Sequence, residues 1–171
     1  KLVHLEVAGN RYFDRKAIVE RLSVTPASRL RYRYGRYSSE LLERDLNAIR
    51  GLYRANGFID VEVSAKTDAN HQNKERDVGV FIRIEEGPQY LVSSIELSGV
   101  NLKDLDAVQE ILEVSEGQPF SELSIAADRD SILNFYFGRG FPDASFEYRK
   151  TAGPGSHEVQ LKYIINEGRR N

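Results

Sequence analysis

An internal repeat, with a shift of 81 to 90 positions, constrains this 171-residue chain more than any other feature. The segment Tyr-Arg-Ala-Asn-Gly-Phe at 53–58 returns as Tyr-Phe-Gly-Arg-Gly-Phe at 136–141, a shift of 136 − 53 = 83. A Glu-Gly pair returns with a shift of 81, as Glu86-Gly87 and Glu167-Gly168. Such a period exceeds that of a solenoid unit and is close to the size of a small domain. The sequence therefore predicts two tandem modules, residues 1–88 and 89–171.

Composition is that of an ordinary globular protein, with 40% hydrophobic and 29% charged residues. No apolar stretch approaches the ~20 residues that cross a bilayer. The chain has no cysteine, which excludes disulfides, thiolate chemistry and cysteine-based zinc sites. Because it opens on Lys1 instead of Met, we expect a fragment of a longer polypeptide.

Net charge differs between the two copies. Residues 1–88 hold 16 Lys and Arg against 13 Asp and Glu, or +3, whereas residues 89–171 hold 8 against 13, or −5. We therefore expect the modules to share a fold but not a partner surface.

Hydrophobic periodicity in the first copy predicts the order β-α-α-β-β. An alternating strand over 2–8 precedes a short helix capped by Asp14, and Ser38 caps a long amphipathic helix. Two further alternating strands follow Gly57, where the long helix ends. The positions expected to face the core are Val3, Leu5 and Val7 in the first strand, Leu42, Leu46, Ile49 and Tyr53 in the long helix, and Val78, Val80, Ile82 and Ile84 in the last strand.

The second copy repeats this order. Ser121 is expected to cap its long helix. The expected core positions are Leu91, Ile95 and Leu97 in the first strand, Leu105, Val108 and Leu112 in the short helix, Ile125, Ile132 and either Phe135 or Tyr136 in the long helix, and Val159, Leu161, Tyr163 and Ile165 in the last strand. The sequence thus predicts an α+β fold of two tandem β-α-α-β-β modules, each a three-stranded sheet covered on one face by two helices.

No pattern for catalysis or cofactor binding is present. We expect none of His4, His71 and His157 to have an acidic residue at metal-ligand spacing on a shared face, and no serine has an obvious histidine base for a triad. Phosphate-binding glycine motifs are absent from the sequence. We predict no catalytic residue, no cofactor, no metal and no enzymatic activity.

One segment of the first copy has no counterpart in the second. It is the loop between the two helices, which is 13 − 6 = 7 residues longer in the first copy, counted from Val24 to Tyr37 and from Val114 to Phe120. Arginines and tyrosines fill it, a combination that pairs with anions and stacks on rings. They are the candidate partner or anion-binding residues: Arg29, Arg31, Tyr32, Arg33, Tyr34, Arg36 and Tyr37. The alternative is an extended loop whose tyrosines pack on its own helices while the arginines stay solvated.

Both modules resemble POTRA domains, the polypeptide-transport-associated repeats of outer-membrane barrel assembly and transport proteins, the group containing BamA and TamA. The resemblance covers essentially the whole chain. It rests on motifs that recur in order: Gly9-Asn10 after the first strand, Gly117-Gln118-Pro119-Phe120 before the second long helix, the helix exits Tyr53/Gly57-Phe58 and Tyr136/Gly140-Phe141, and the two Glu-Gly pairs. In the first module, Tyr34-Gly35-Arg36-Tyr37 replaces the Gly-x-Pro-Phe form.

The resemblance implies a periplasmic segment in front of a C-terminal membrane β-barrel that this chain lacks. It implies that the partners are unfolded outer-membrane or secreted proteins and accessory assembly lipoproteins, with no nucleic acid and no membrane contact except through that barrel. An edge strand offers unpaired N–H and C=O groups to such an extended segment. In this family the strand after the long helix is typically an edge, so we expect clients to bind 59–65 and 143–148. The predicted residues are Ile59, Val61, Val63, Ala65, Asp143, Ala144, Phe146 and Tyr148.

Two alternatives remain open at this stage. KH domains, which bind RNA, also begin β-α-α-β and clamp phosphates with a GXXG loop between the helices, where the arginines and tyrosines lie. Residues 23–38 contain a single glycine, however, and the second copy has an acidic segment there. The other alternative is a POTRA-type module of a division or secretion protein without a barrel.

Overall fold

The computed structural model describes residues 1–28 and 35–170. It divides the chain into two compact units. Residues 1–54 and 58–87 form the first unit, and residues 55–57 and 88–171 form the second.

Both units follow the predicted β-α-α-β-β order. The first unit contains β1 (Leu2–Ala8), α1 (Arg15–Val19), α2 (Ser39–Arg54), β2 (Glu62–Asp68) and β3 (Val78–Glu85). The second unit contains β4 (Leu91–Ser98), α3 (Leu105–Glu110), α4 (Glu122–Phe137), β5 (Ser145–Ala152) and β6 (Glu158–Asn166). Short 3₁₀ turns occupy His71–Asn73 and Leu102–Asp104. The predicted α+β fold is confirmed.

Each sheet places its last strand in the centre. The strand order is β1-β3-β2 in the first unit and β4-β6-β5 in the second. The first strand of each unit runs parallel to the central strand, and the strand after the long helix runs antiparallel to it. Among the described residues, β2 and β5 therefore each pair on one side only.

Helix boundaries follow the predicted caps. Asp14 accepts a hydrogen bond from the N–H of Ala17 at 2.7 Å, Ser38 accepts one from Leu41 at 3.1 Å, and Ser121 accepts one from Ser124 at 3.3 Å. These side-chain oxygens satisfy N–H groups that have no partner within their helix.

The apolar stripes of the long helices and central strands form the cores. In the first unit Leu42, Leu46, Ile49 and Tyr53 are buried, as predicted, and so are Val80, Ile82 and Ile84. In the second unit Tyr136, and not Phe135, completes the stripe with Ile125 and Ile132.

The first strands depart from the predicted alternation. The pairing register shifts between Leu2 and His4 in β1, and between Val92 and Ser94 in β4. An extra residue in a strand reverses the facing of the residues before it. Leu2 is therefore buried together with Leu5 in place of Val3, and Val92 is fully buried in place of Leu91. The predictions for Val3 and Leu91 were wrong for this reason.

Candidate protein-binding edges

The two strands predicted to bind clients lie at sheet edges, although they begin later than expected. β2 covers Glu62–Asp68 and β5 covers Ser145–Ala152, against the predicted spans 59–65 and 143–148. The first residues of each predicted set, Ile59, Val61, Asp143 and Ala144, precede the strands. Val63, Ala65, Phe146 and Tyr148 lie within them. That clients bind these strands stays a prediction.

The opposite edge of each sheet is partly covered. In the first unit the carbonyl of Leu2 accepts a hydrogen bond from the N–H of Ala27 at 2.7 Å. In the second unit Val92 exchanges hydrogen bonds with the loop between the helices, donating to Gln118 at 2.9 Å and accepting from Gly117 at 2.7 Å. Because these loops occupy the start of β1 and β4, the more open edges are β2 and β5.

A side chain from the long helix reaches the edge strand of the first unit. Arg50 donates from Nη2 to the carbonyl of Val63 at 2.6 Å, and from Nη1 to Asn47 Oδ1 at 2.6 Å. β3 occupies one side of β2, and Arg50 is only half-buried, so we infer that the guanidinium lies on the open side. It therefore occupies an acceptor that an added strand would use.

The equivalent strand of the second unit carries no such contact. Within residues 1–28 and 35–170, the backbone of β5 has no hydrogen bond to a side chain or to a loop. All its residues are exposed except Phe146, which is half-buried. Lys150 Nζ lies 4.8 Å from the ring centroid of Phe120, which places the start of α4 above this part of the strand.

A buried carboxylate in each long helix anchors the segment that follows the short helix. Asp45 is 2% exposed and accepts hydrogen bonds from the N–H groups of Ser23 and Val24 at 2.8 Å. Asp128 is fully buried and accepts from Glu113 at 2.5 Å, from Val114 at 3.2 Å and from the Tyr163 hydroxyl at 2.7 Å. Burial is the largest cause that raises the pKa of the Tyr163 hydroxyl above its ordinary value, and the hydrogen bond to Asp128 is the second.

Sequence reasoning missed this pair. A signal was available, because 128 − 45 = 83 is the shift of the helix-exit motif. An acidic residue kept inside an apolar stripe in both copies indicates a structural acceptor, since a buried carboxylate needs hydrogen-bond donors.

The helix-exit tyrosine and the Glu-Gly pair form one contact in the first unit. Glu86 Oε1 accepts hydrogen bonds from the Tyr53 hydroxyl at 2.8 Å and from the N–H groups of Arg11 and Tyr12 at 2.6 and 2.8 Å. It thereby links α2, the end of β3 and the turn after β1. Burial first, and then the bond to Glu86, raises the pKa of the Tyr53 hydroxyl above its ordinary value.

The second unit leaves the equivalent pair open. Among the described residues, neither the Tyr136 hydroxyl nor Glu167 Oε1 has a hydrogen-bond partner. Burial, together with the nearby Glu167 carboxylate, raises the pKa of Tyr136 to about 12. The turn after β4 is used differently: Asn101 Oδ1 accepts the N–H of Lys103 at 3.4 Å, and Leu102 is 87% exposed.

Most of the arginine-tyrosine loop, residues 29–34, lies outside the described residues. This includes Arg29, Arg31, Tyr32, Arg33 and Tyr34. Arg36 is exposed and exchanges backbone hydrogen bonds with Thr25 at 2.8 and 2.7 Å. Tyr37 is half-buried and packs against the core of the first unit.

Aromatic rings cluster on the outer face of the first sheet. The rings of His4 and His71 stack with centroids 5.1 Å apart, and Phe81 lies 5.3 Å from His4. His71 Nδ1 is 3.2 Å from Asp68 Oδ2, and His4 Nε2 is 3.4 Å from Glu6 Oε2. The expectation that these histidines share no face with an acidic residue was therefore wrong. No set of three or more metal-ligating side chains occurs among the residues that the structure describes. In the same part of the chain, no helix combines the length and apolar character needed to span a membrane.

The POTRA family model, described as a surface antigen variable number repeat, matches residues 2–87 and again 90–168. The outer membrane protein assembly factor BamA of Nitratidesulfovibrio vulgaris is 25% identical over 138 residues, which is 78% of this chain. The chain spans 16% and 17% of the lengths of the curated relatives that it matches.

Solved structures show the same fold. The POTRA3-5 segment of Haemophilus influenzae BamA matches 99% of this chain and 67% of its own with a TM-score of 0.63 at 23% identity. POTRA1-2 of the periplasmic domain of Omp85 from Anabaena matches 100% of this chain and 95% of its own with a TM-score of 0.53 at 15% identity. The family match supersedes the KH-like alternative and confirms the resemblance. With two consecutive matches that together cover nearly the whole sequence, this chain belongs to the POTRA family and consists of two tandem POTRA domains.

Proposed function

We propose that this tandem pair is the periplasmic protein-binding segment of an outer-membrane β-barrel assembly or transport protein. It binds unfolded outer-membrane or secreted proteins, and accessory assembly lipoproteins, by adding an extended segment to a sheet edge. It acts as a binding scaffold and not as an enzyme. The family membership of both domains supports the setting, and the edge position of β2 and β5 is the observation that carries the binding mode.

The physical basis is the unpaired backbone of an edge strand. Alternate residues of such a strand direct both N–H and C=O away from the sheet, and an extended peptide satisfies these groups by hydrogen bonding. Since backbone groups are the same in every client, the affinity depends little on sequence. Side chains beside the edge add a looser selection, which suits a protein that handles many clients.

The test is proline substitution in each edge strand of the 171-residue protein. Val63→Pro and Phe146→Pro each remove a backbone donor and are expected to weaken crosslinking to an unfolded outer-membrane protein. Tyr148→Pro serves as a second β5 variant at a more exposed position, and circular dichroism selects the variants that keep their fold. Unchanged crosslinking by folded variants of both strands contradicts the proposal.

The placement in a barrel protein is tested separately. We expect the parent polypeptide to continue into several hundred residues of alternating strands of ~10 residues each. A continuation without such strands would instead support the alternative of a division or secretion protein.

A further inference from the structure

The edge strands β2 and β5 differ in the side chains that the long helix of each unit places beside them. On α2 one face carries Glu40, Glu43, Asn47, Arg50 and Arg54, spaced three and four residues apart. Arg50 shows that this face looks toward the β2 edge, because its guanidinium binds the Val63 carbonyl at 2.6 Å. The β2 edge is therefore flanked by charge, and one of its acceptors is already engaged.

The matching face of α4 is largely apolar. With the shift of 83, it carries Leu123, Ala126, Asp130, Leu133 and Phe137. Leu123 is 69% exposed and Phe137 is 46% exposed, whereas Leu133 is half-buried at the position of Arg50. An exposed apolar row beside an open strand edge is typical of a surface that a partner covers.

Alternate residues of β5 direct backbone N–H and C=O groups toward the side on which that partner would bind. The Val63 carbonyl accepts the Arg50 hydrogen bond, so the backbone N–H and C=O of Val63 are directed away from β3. Phe146 is the equivalent residue of β5, again with a shift of 83. Because the direction alternates, Tyr148 and Lys150 also direct N–H and C=O away from β6. Within the described part of the chain no side chain or loop binds these three residues on that side, where Leu133 takes the place of Arg50.

We infer that a client strand prefers β5 of the second unit to β2 of the first, and that the strand carries apolar side chains at every second position. This inference rests on the proposed function and specifies its site. In an added strand, alternate side chains fall on the face that α4 covers, where they meet Leu133 and Phe137. The remaining side chains fall on the solvent face, near Glu147 and Arg149, whose opposite charges favour neither sign.

Matched single cysteines test the choice of edge, since the native chain has no cysteine. Ser64→Cys in β2 and Glu147→Cys in β5 are both exposed and are related by the shift of 83. The probe is an extended peptide of about nine residues that alternates Val and Thr around a central cysteine. We expect disulfide formation with the Glu147→Cys protein to exceed that with the Ser64→Cys protein by about tenfold, which corresponds to ~1.4 kcal/mol.

A control peptide of the same composition tests the pattern. It groups its valines in one block, so that they cannot all face α4. We expect its crosslinking to the Glu147→Cys protein to fall by about the same tenfold. Equal crosslinking of the two peptides overturns the requirement for alternating apolar side chains.

Exchanging the helix residues beside the two edges, Leu133 and Arg50, tests whether they cause the preference for β5. Leu133→Arg places a guanidinium beside β5, and Arg50→Leu removes the one beside β2. We expect the first to lower crosslinking at position 147 and the second to raise it at position 64. If Leu133→Arg fails to fold, Arg50→Leu alone decides, since Arg50 is half-buried and its removal leaves the core unchanged.

Each remaining result has one meaning. Equal crosslinking at both cysteines, or more at position 64, overturns this inference and leaves the proposed function standing. No crosslinking at either position overturns both. A disulfide between two Glu147→Cys chains, with a dimer in sedimentation, overturns the inference by showing that a second copy occupies the edge.

Discussion

The two POTRA domains share a skeleton but differ where that skeleton meets its surroundings. In both, a long helix with a buried aspartate covers a sheet whose last strand is central. The first domain closes the contact between Tyr53 and Glu86 and places Arg50 on its edge strand. In the second, the Tyr136 hydroxyl and Glu167 Oε1 have no hydrogen-bond partner among the described residues, and no described side chain binds the backbone of the edge strand. Shared positions thus maintain the fold, and the proposed choice of edge depends on the differing positions.

The largest expected effect lies in a feature that both domains share. Gly9 and Gly99 have φ angles of +88° and +84°, and a Cβ at either would lie 1.9 Å from the carbonyl oxygen of Ile84 or Ile165. We expect Gly9→Ala and Gly99→Ala each to destabilise its own domain by about 3 kcal/mol or more. Amide hydrogen exchange of peptides from each domain measures this. A large effect in one domain only would show that the shared skeleton is not equally constrained.

Substitution of the buried aspartates is expected to have the next largest effect on stability, with a small difference between the two domains. Asp45→Asn and Asp128→Asn exchange one of the two acceptor oxygens for an NH2 donor that faces backbone N–H groups, and each is expected to destabilise its domain by about 2 to 3 kcal/mol. Asp128→Asn is expected to have the larger effect, because the Tyr163 hydroxyl also donates to this carboxylate and its charge-assisted hydrogen bond is lost. The same exchange measurement applies, with Asp130→Asn on the exposed face of α4 as the control. A neutral Asp128→Asn variant would contradict the anchoring role.

The helix-exit tyrosines distinguish the domains directly. Tyr53→Phe removes the hydroxyl that donates a hydrogen bond to Glu86, so we expect the first domain to lose about 1 to 1.5 kcal/mol of stability. Tyr136→Phe removes a buried hydroxyl without a partner among the described residues, so we expect no loss or a slight gain of stability. Chemical denaturation followed by hydrogen exchange in each domain compares the two. Equal losses would show that the second pair also forms a hydrogen bond.

Much of this fold could be predicted from the sequence because the central strands and long helices obey simple periodicities. β3 and β6 alternate strictly, since each has one face on the core and pairs on both sides. The core-facing residues of β1 and β4 could not be assigned in the same way, because a single extra residue near Val3 or Ser93 changes which side its neighbours face. No local pattern in the sequence announces such a bulge.

The candidate site was only partly predictable. The edge position of β2 and β5 followed from the family resemblance, and the start of each strand was misplaced by two or three residues. The contact of Tyr53 with Glu86 spans 33 positions, so periodicity within one element cannot reveal it. Arg50 resembled an ordinary exposed arginine in the sequence; only its distance to Val63 distinguishes it. Asp45 and Asp128 were overlooked because a polar residue in an amphipathic helix is usually assigned to the solvent face.

Amide-resolved hydrogen exchange of the 171-residue protein tests the central claim most directly. Exchange is measured with and without the alternating Val-Thr peptide, here without its cysteine. The account predicts strong new protection at the outward amides of Tyr148 and Lys150 in β5, and clearly weaker protection at those of Ala65 and Thr67 in β2. Protection of Ala65 and Thr67 equal to that of Tyr148 and Lys150 would contradict it.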